Sequence, residues 1–234
     1  MSHADSQSSR AAGKRLRIYL MRHGEAELSA EGKLYGHTDA SLSREGIEQS
    51  RSLSSELAGI PLLAVYSSDL SRALFAAHLI ADAHSLTPRV LPDLREANMG
   101  EWEGAPIRKV ALADPEQVSC LFTDPSTFRY PGGESFLEFQ ARVQRVLKEV
   151  FEAHGEGEIA IVTHGGVCRL VIGQVLLLSP RNLLRLSQDF GCLNIIDVYD
   201  GQPLLRMMNY LPGYGLSGAI KTDGRASSDS PHSY

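Results

Sequence analysis

The chain has 234 residues, of which 43% are hydrophobic and 22% are charged, and its formal net charge at pH 7 is −5. This balance is ordinary for a globular protein and lacks the basic surface of a nucleic-acid-binding protein. The N-terminus has no apolar stretch typical of a signal peptide, and no run of about 18 apolar residues could span a membrane, so we expect a cytoplasmic protein that binds neither nucleic acid nor a membrane.

Cysteine spacing and the composition of the two ends bound the domain organisation. Cys120, Cys168 and Cys192 are odd in number and lack Cys-x-x-Cys spacing, which indicates reduced thiols rather than a disulfide framework or a zinc site. Both ends are small and polar and offer few apolar groups to offset the entropy of ordering. We expect a disordered N-terminal tail (1–14), one folded domain (15–212) and a flexible C-terminal tail (213–234).

Short apolar runs alternate with amphipathic segments along the chain. The first half of the chain is predicted to contain strand 17–21, a loop over 24–41, a helix from the N-cap Ser43 to about Ala58, strand 62–67, helix 69–84 and a short strand 88–91. A long excursion over 92–133 with two short helices follows. The predicted elements after it are a helix from Ser135, strand 159–163, a helix after His164-Gly165-Gly166, and late strands 194–199 and 204–208. This alternation predicts a layered α/β fold with a largely parallel central sheet.

The clearest helix signal follows residue 134. Ser135-Phe136-Leu137-Glu138 is a capping-box pattern. Residues 92–133, by contrast, show no sustained periodicity, and a long excursion of this kind usually carries function.

Two of the predicted strands end in a His-Gly pair. Arg22-His23-Gly24 follows the first strand, and His164-Gly165-Gly166 follows strand 159–163. Ligands of open α/β sheets bind beyond the carboxyl ends of strands. A neutral imidazole is a competent nucleophile toward phosphorus, an adjacent guanidinium suits a phosphoryl oxygen, and glycine amides at a helix N-terminus suit an anion. Alone, Arg22-His23-Gly24 fits a structural loop hydrogen bond of His23 equally well, and the two glycines after His164 are better explained by a tight turn.

Two further segments carry candidate residues. Arg72 lies in the first turn of the helix after strand 62–67, where a cation opposes the helix dipole and so indicates an anionic partner; a solvated surface arginine also fits. Glu96, Glu101 and Glu103 lie in an acidic, glycine-punctuated segment. One of them could act as a general acid, and a solvated loop fits the latter two as well.

Six segments in this order resemble the histidine phosphatase superfamily, also called the phosphoglycerate-mutase-like family, over roughly residues 16–200. They are Arg22-His23-Gly24-Glu25, Gly36…Asp39…Leu42…Gly46, Ser67-Ser68…Leu70…Arg72-Ala73, Leu94…Glu96…Gly100…Trp102-Glu103-Gly104, Gly133-Glu134-Ser135 and Thr163-His164-Gly165. Each is weak alone, whereas the ordered set is specific. The resemblance implies a three-layer α/β/α fold with a mostly parallel central sheet and a catalytic domain over 15–212.

The resemblance also implies roles for the site residues. His23 would be the phosphorylated nucleophile and Glu96 the proton donor, with His164 completing the catalytic set; the phosphoryl group would be bound by Arg22, Arg72 and His164. His23 would attack phosphorus while Glu96 protonates the departing alkoxide, and Glu96 would then activate water to hydrolyse the phosphohistidine. The arginines and His164 would hold the charge, so we expect no metal or other cofactor and a bell-shaped pH profile.

The chain departs from the family pattern at several positions. Ala26 stands where threonine or serine is usual, and Ser29 stands where an asparagine usually contacts the phosphoryl group. We keep Ser29, together with Gly165, as a predicted substrate-binding residue. Phe75-Ala76-Ala77 replaces a usual Gln-Thr-Ala and predicts a change within the core, with His78 as a packing residue.

The finer pattern favours one branch of the family. Gly100-Glu101-Trp102-Glu103-Gly104 is typical of the phosphatases rather than the true mutases, and residues 36–39 with 130–136 look most like α-ribazole phosphatases of cobalamin biosynthesis. We therefore predict a metal-independent phosphomonoesterase that acts on a small phosphorylated metabolite, with α-ribazole 5'-phosphate as the leading candidate, in a monomer or homodimer.

Other interpretations remain open at this point. The same family includes broad-specificity, sugar and phosphoglycerate-type phosphatases and mutases, and a catalytically weak module that binds phosphorylated ligands is a further alternative. A metal site at His23 and His164 lacks a third ligand with zinc spacing. A cysteine phosphatase is excluded because no cysteine is followed by arginine at the sixth position.

Overall fold

The computed structural model describes residues 14–214 and contains a six-stranded sheet. The strands are β1 (Arg15–Arg22), β2 (Leu62–Ser67), β3 (Arg89–Val90), β4 (Gly157–Thr163), β5 (Leu193–Tyr199) and β6 (Gln202–Tyr210). The α-helices are α1 (Glu27–Ala30), α2 (Arg44–Leu57), α3 (Ser71–Ala83), α4 (Ile107–Ala113), α5 (Pro115–Thr123), α6 (Phe136–Glu152) and α7 (Gly165–Val175). Most of the two predicted tails lies outside the described residues.

The strands lie in the order β3-β2-β4-β1-β5-β6. β2 pairs in parallel with β3 and β4, and β4 pairs in parallel with β1, whereas β5 runs antiparallel to both β1 and β6. The mostly parallel central sheet predicted from the alternation of strands and helices is therefore confirmed.

The side chains of β1 contribute to two separate cores. Leu16, Ile18 and Leu20 pack with residues of α6 and α7, while Tyr19 and Met21 pack with residues of α2 and α3. Successive side chains of a strand point to opposite faces of the sheet. Each fully buried aliphatic side chain stabilises the fold by roughly 1.5–3 kcal/mol. The sheet is thus covered on both faces, which confirms the three-layer α/β/α arrangement.

The two predicted helix starts are formed as expected. Ser43 accepts a hydrogen bond from the amide of Gly46 at 3.1 Å. Ser135 accepts from the amide of Glu138 at 3.2 Å, and the Glu138 carboxylate accepts from the amide of Ser135 at 2.9 Å. This reciprocal capping box satisfies amides that would otherwise lack partners at the start of α6.

The parallel pairing brings three strand ends to one edge of the sheet. Arg22 of β1 pairs with Thr163 of β4, and Ser67 of β2 pairs with Val162 of β4. Parallel strands need a crossover between them, and a helix provides it in each case. The residues that follow these strands therefore meet at the same edge although they are far apart in sequence.

Several sequence expectations require correction. The segment 24–41 contains α1 rather than only loop, and β3 is two residues long. His78 is exposed rather than packed, and Phe75 is 36% exposed. The buried face of α3 is formed by alanines and Ile80, and positions 75 and 78 of a helix with 3.6 residues per turn lie on the other side.

The excursion between β3 and α6 forms a small core of its own. The two short helices predicted within it are α4 and α5. Trp102, Val110 and Phe128 are buried together, and the ring of Phe128 lies 4.8 Å from that of Tyr130. This cluster anchors the chain that leads from Glu96 to α6.

All three cysteines are free thiols, and Cys168 and Cys192 are buried. Within residues 14–214, no helix is both long enough and apolar enough to cross a lipid bilayer.

Candidate active site

His23 lies immediately after β1 and is 2% exposed. Its backbone amide donates to the carbonyl of Thr163 at 2.9 Å, which ties it to the end of β4. Its Nδ1 lies 2.6 Å from the carbonyl oxygen of Gly24, and its Nε2 lies 3.3 Å from Nε of Arg72. Because a carbonyl only accepts and a guanidinium only donates, these contacts assign the proton to Nδ1 and leave a lone pair on Nε2.

The environment of His23 keeps its ring neutral. Its pKa lies well below the ordinary value of 6.5, chiefly because the ring is buried and further because Arg72 and Arg22 are close; the bond to the Gly24 carbonyl opposes this shift. Burial disfavours the charged form of a base, and nearby cations do the same. The unprotonated Nε2 is therefore available as a nucleophile at neutral pH.

Arg72 is the largest fully buried side chain of the site. Its Nη1 donates to the carbonyl of Thr38 at 2.7 Å, and its Nη2 donates to the carbonyl of Gly36 at 2.6 Å. Burial lowers its pKa. Tyr35 lies beside it, with the guanidinium carbon 4.9 Å from the ring centroid. The predicted place of Arg72 in the first turn of α3 is confirmed.

Arg22 is the last residue of β1. Its Nη1 donates to the carbonyl of Gln188, and its guanidinium carbon lies 3.6 Å above the ring of Phe190. Its buried Nε has no hydrogen-bond partner among residues 14–214. A buried donor without a partner is costly, and an anion bound in the cavity would satisfy it.

His164 is fully buried at the end of β4, with its ring centroid 5.0 Å from that of His23. Its Nε2 lies 2.7 Å from Oγ of Ser68, and its buried Nδ1 has no partner in the described part of the chain. Burial lowers its pKa well below 6.5, and His23, Arg72 and Arg22 lower it further. If the Ser68 hydroxyl donates to Nε2, then Nδ1 carries the proton and can donate it to an anion.

Glu96 is held by backbone amides on both carboxylate oxygens. Its Oε2 accepts from the amide of Gly166 at 2.8 Å, and its Oε1 accepts from the amide of Ala97 at 3.0 Å. A Cβ atom at position 166 would lie 2.1 Å from Oε1. The second glycine of His164-Gly165-Gly166 therefore makes room for the glutamate at the start of α7.

These residues surround one open cavity of about 360 Å³. Six of the seven predicted site residues line it, namely Arg22, His23, Ser29, Arg72, Glu96 and Gly165, and the seventh, His164, packs against His23. Ser29 borders the cavity with its hydroxyl hydrogen-bonded to that of Tyr35. A larger cavity of about 700 Å³ lies elsewhere, between β1, α6 and α7, and none of the predicted site residues is among those that line it.

The sequence patterns did not identify several further residues of this site, among them Tyr35, Ser68, Arg169 and Phe190. Only Arg169 had a usable signal, because it follows Gly165 by four positions on α7 and so lies on the same face of the helix. Its Nε donates to the carbonyl of Leu186 at 2.9 Å, and burial lowers its pKa.

Most of the positive charge in the cavity lacks an ion-pair partner among the described residues; Lys33, which also lines it, pairs with Glu31. Arg22, Arg72 and Arg169 all line it, and none of the three belongs to an ion pair within the described range 14–214. In the same range, no group of three or more histidine, cysteine, aspartate or glutamate side chains is arranged to hold a metal ion. A cluster of guanidinium groups with a neutral imidazole is suited to a phosphoryl group.

Of the two interpretations that the sequence left open for Glu103, a general acid or a solvated loop residue, the structure contradicts the second. Glu103 is half-buried rather than part of a solvated loop, and its carboxylate accepts hydrogen bonds from the amides of His37, Thr38 and Met99. These bonds and one from the Thr38 hydroxyl outweigh the opposing effect of burial and lower its pKa. Glu101, on the same segment, is exposed.

The chain is similar to known phosphatases in both sequence and fold. The family model of the histidine phosphatase superfamily (branch 1) matches residues 18–211. The adenosylcobalamin/α-ribazole phosphatase of Salmonella typhimurium is 30% identical over 194 residues, which are 83% of this chain and 96% of that protein. A metal-independent phosphoserine phosphatase of Arabidopsis thaliana is 34% identical over 158 residues, 66% of each chain. The crystal structure of the α-ribazole phosphatase from Shigella flexneri superimposes with a TM-score of 0.76 at 30% identity and covers 83% of this chain and 96% of that one.

Proposed function

The chain belongs to the histidine phosphatase superfamily, and we propose that it is a metal-independent phosphomonoesterase that works through a phosphohistidine intermediate at His23. The observation that carries this proposal is the state of His23: its ring is buried and neutral, its unprotonated Nε2 lies 3.3 Å from Nε of Arg72, and it lines a cavity together with unpaired arginines. An imidazole in this state can attack phosphorus without first losing a proton.

The proposed reaction has two in-line steps. In the first, Nε2 of His23 forms a bond to phosphorus, the bond to the alcohol oxygen breaks, and Glu96 gives that oxygen a proton. In the second, water attacks the phosphohistidine, Glu96 takes a proton from the water, and the bond to His23 breaks to release inorganic phosphate. Throughout, Arg22, Arg72 and His164 stabilise the charge on the phosphoryl oxygens, with support from Ser29 and the amide of Gly165.

Trapping the intermediate tests the mechanism. A phosphomonoester labelled with ³²P should leave acid-labile label on the wild-type protein, and His23→Gln should carry none. Turnover should fall by at least about 1,000-fold in His23→Gln, because removal of the group that forms the covalent bond leaves only binding and electrostatics. Wild-type turnover in His23→Gln would overturn the proposal. Activity should also persist in a chelator, since arginines rather than a metal would hold the charge.

The finer proposal is that the alcohol is a nucleoside with an apolar base, as in α-ribazole 5'-phosphate. A second cavity of about 190 Å³ adjoins the first, and both are bordered by Glu96, Met99 and Arg169. Its remaining walls are mostly apolar, among them Leu121, Phe128, Phe136, Phe139 and Leu183. An alcohol protonated by Glu96 could extend into this cavity, which suits a benzimidazole ring better than the small charged group of phosphoserine.

Substrate selectivity tests this finer proposal. We expect kcat/KM for α-ribazole 5'-phosphate to exceed that for phosphoserine and 3-phosphoglycerate. Leu121→Gln should lower kcat/KM for α-ribazole 5'-phosphate by about tenfold through lost apolar contact, and should leave the value for phosphoserine unchanged. Leu112→Gln is the matched control because Leu112 is 85% exposed. Equal losses on both substrates would contradict this assignment while leaving the phosphohistidine mechanism intact.

A further inference from the structure

A short loop, residues 36–39, supplies the two carbonyl groups that orient Arg72. The guanidinium donates to the carbonyls of Gly36 and Thr38 while its Nε faces Nε2 of His23. These contacts use three of the five N–H groups of an arginine and fix the plane of the fork. The position of this loop therefore sets where the remaining N–H groups of Arg72 point.

The loop is fastened to the rest of the protein by Glu103. One carboxylate oxygen accepts from the amide of His37 at 2.7 Å and from that of Met99 at 3.2 Å, while the other accepts from the amide of Thr38 at 2.6 Å and from the Thr38 hydroxyl. The amides of His37 and Thr38 belong to the same backbone stretch as the carbonyls that hold Arg72. Hydrogen bonds to an ionised acceptor are about twice as strong as neutral ones.

The surroundings of the loop leave it little freedom to move. Gly36 is buried, and a Cβ atom there would lie 1.8 Å from the carbonyl oxygen of Ala97. At the far end of the loop, the Asp39 carboxylate accepts from the amide of Ser71 at 2.8 Å and from its hydroxyl at 2.7 Å. Ser71 precedes Arg72 at the start of α3, so the loop and the arginine are also joined through the backbone.

We propose that Glu103 is a positioning residue for Arg72: by holding residues 36–38, it fixes the two carbonyls that orient the guanidinium toward His23. Glu103 does not contact His23 and is not itself among the residues that line the cavity, so its proposed effect on the site passes through the loop and Arg72. The inference rests on the proposed function for its kinetic readout, but its first readout is the binding of inorganic phosphate, which needs no turnover.

A double-mutant cycle separates this role from a general structural one. The variants are Glu103→Gln, Arg72→Ala and their combination, with Glu101→Gln as the matched control on the same segment. A glutamine keeps one acceptor oxygen of Glu103 and loses the other, so the loop should loosen without losing every bond. For each variant we would measure the Kd of inorganic phosphate by calorimetry, kcat/KM with a phosphomonoester, and the thermal midpoint.

We expect Glu103→Gln to weaken phosphate binding and lower kcat/KM by about tenfold each, as is common for coupled neighbours. In the Arg72→Ala background the same change should cost less than about twofold, since the residue it positions is already gone. Glu101→Gln should match the wild type. A full tenfold loss in the Arg72→Ala background, or phosphate binding by Glu103→Gln equal to that of Glu101→Gln, would overturn the proposal. Absence of turnover in the wild type would refute the proposed function alone, because phosphate binding would still report the coupling.

Discussion

The hydroxyl of Ser68 lies 2.7 Å from Nε2 of His164, and both residues are fully buried. The adjacent Ser67 hydroxyl is also buried but has no hydrogen-bond partner within residues 14–214. Of these two neighbouring buried serines, Ser68 has its hydroxyl against a histidine of the site and Ser67 does not.

Ser68→Ala should therefore lower activity, while Ser67→Ala should not. Without the hydroxyl, the His164 ring can rotate and can carry its proton on Nε2 rather than on Nδ1. We therefore expect kcat to fall by about tenfold or more. Ser67→Ala removes an unsatisfied buried group and should leave turnover and stability at wild-type levels or slightly above. Steady-state kinetics on both variants check this, and equal effects would argue against an orienting role for Ser68.

Gly166→Ala should impair activity with little change in stability. The added Cβ would lie 2.1 Å from Oε1 of Glu96, and a flexible carboxylate can move away at small cost. The displaced carboxylate would no longer reach the departing oxygen, so kcat should fall by about 100-fold, as for loss of a general acid.

Gly59→Ala provides the comparison for that substitution, because nothing lies within 4 Å of a Cβ at position 59. It should raise the free energy of unfolding by about 0.4–1 kcal/mol through the entropy of the unfolded chain and leave kcat unchanged. A Gly166→Ala variant with wild-type kcat would mean that Glu96 is not confined as the structure indicates.

Arg142→Met should destabilise the protein and disturb the Glu96 segment. Arg142 pairs with the Glu134 carboxylate at 2.8 Å and donates to the carbonyls of Asp93, Arg95 and Glu96. Removing one partner of a largely buried ion pair leaves the other charge uncompensated and costs about 3–5 kcal/mol. Denaturant unfolding checks this. Arg145→Met, which breaks an exposed pair with Asp93, should unfold at the wild-type midpoint.

The acid limb of the kcat/KM profile should lie below pH 6.5. Burial and the nearby arginines lower the pKa of His23. Because the neutral ring is the reactive form in the proposed mechanism, activity should persist to a lower pH than for an ordinary histidine. Arg72→Met should move the acid limb to higher pH and should also lower the maximum value of kcat/KM. A wild-type acid limb at or above pH 6.5 would contradict the depressed pKa.

Stability should fall as the pH falls below about 6.5. The folded-state pKa values of His23 and His164 are both lowered, so below the unfolded value the unfolded chain takes up protons that the folded chain does not. The free energy of unfolding should therefore decrease by up to about 1.4 kcal/mol per pH unit for each histidine until the folded pKa is reached. Urea unfolding at several pH values should show that the free energy of unfolding of His164→Gln depends less steeply on pH than that of the wild type.

The residues that sequence reasoning could predict share a local signal. His23, Arg72 and His164 each follow a strand directly or lie at the start of the next helix. The spacing of the apolar residues along the chain predicts this alternation of strands and helices. Glu96 lies instead in the excursion, and its assignment depended on the family resemblance. The capping box at Ser135 is a four-residue pattern and needs no tertiary context.

The chain by itself determined the α/β architecture, the strand ends that carry His23 and His164, and the family, because each depends on short-range patterns or on their order. The tertiary structure alone decided the partners of those residues. Ser68 meets His164 across 96 positions and Glu103 meets Thr38 across 65, and no periodicity links positions so distant. The sequence therefore left the burial of Glu103 ambiguous, and the prediction that His78 packs in the core was wrong. Burial of a single side chain depends on which neighbouring element packs against it.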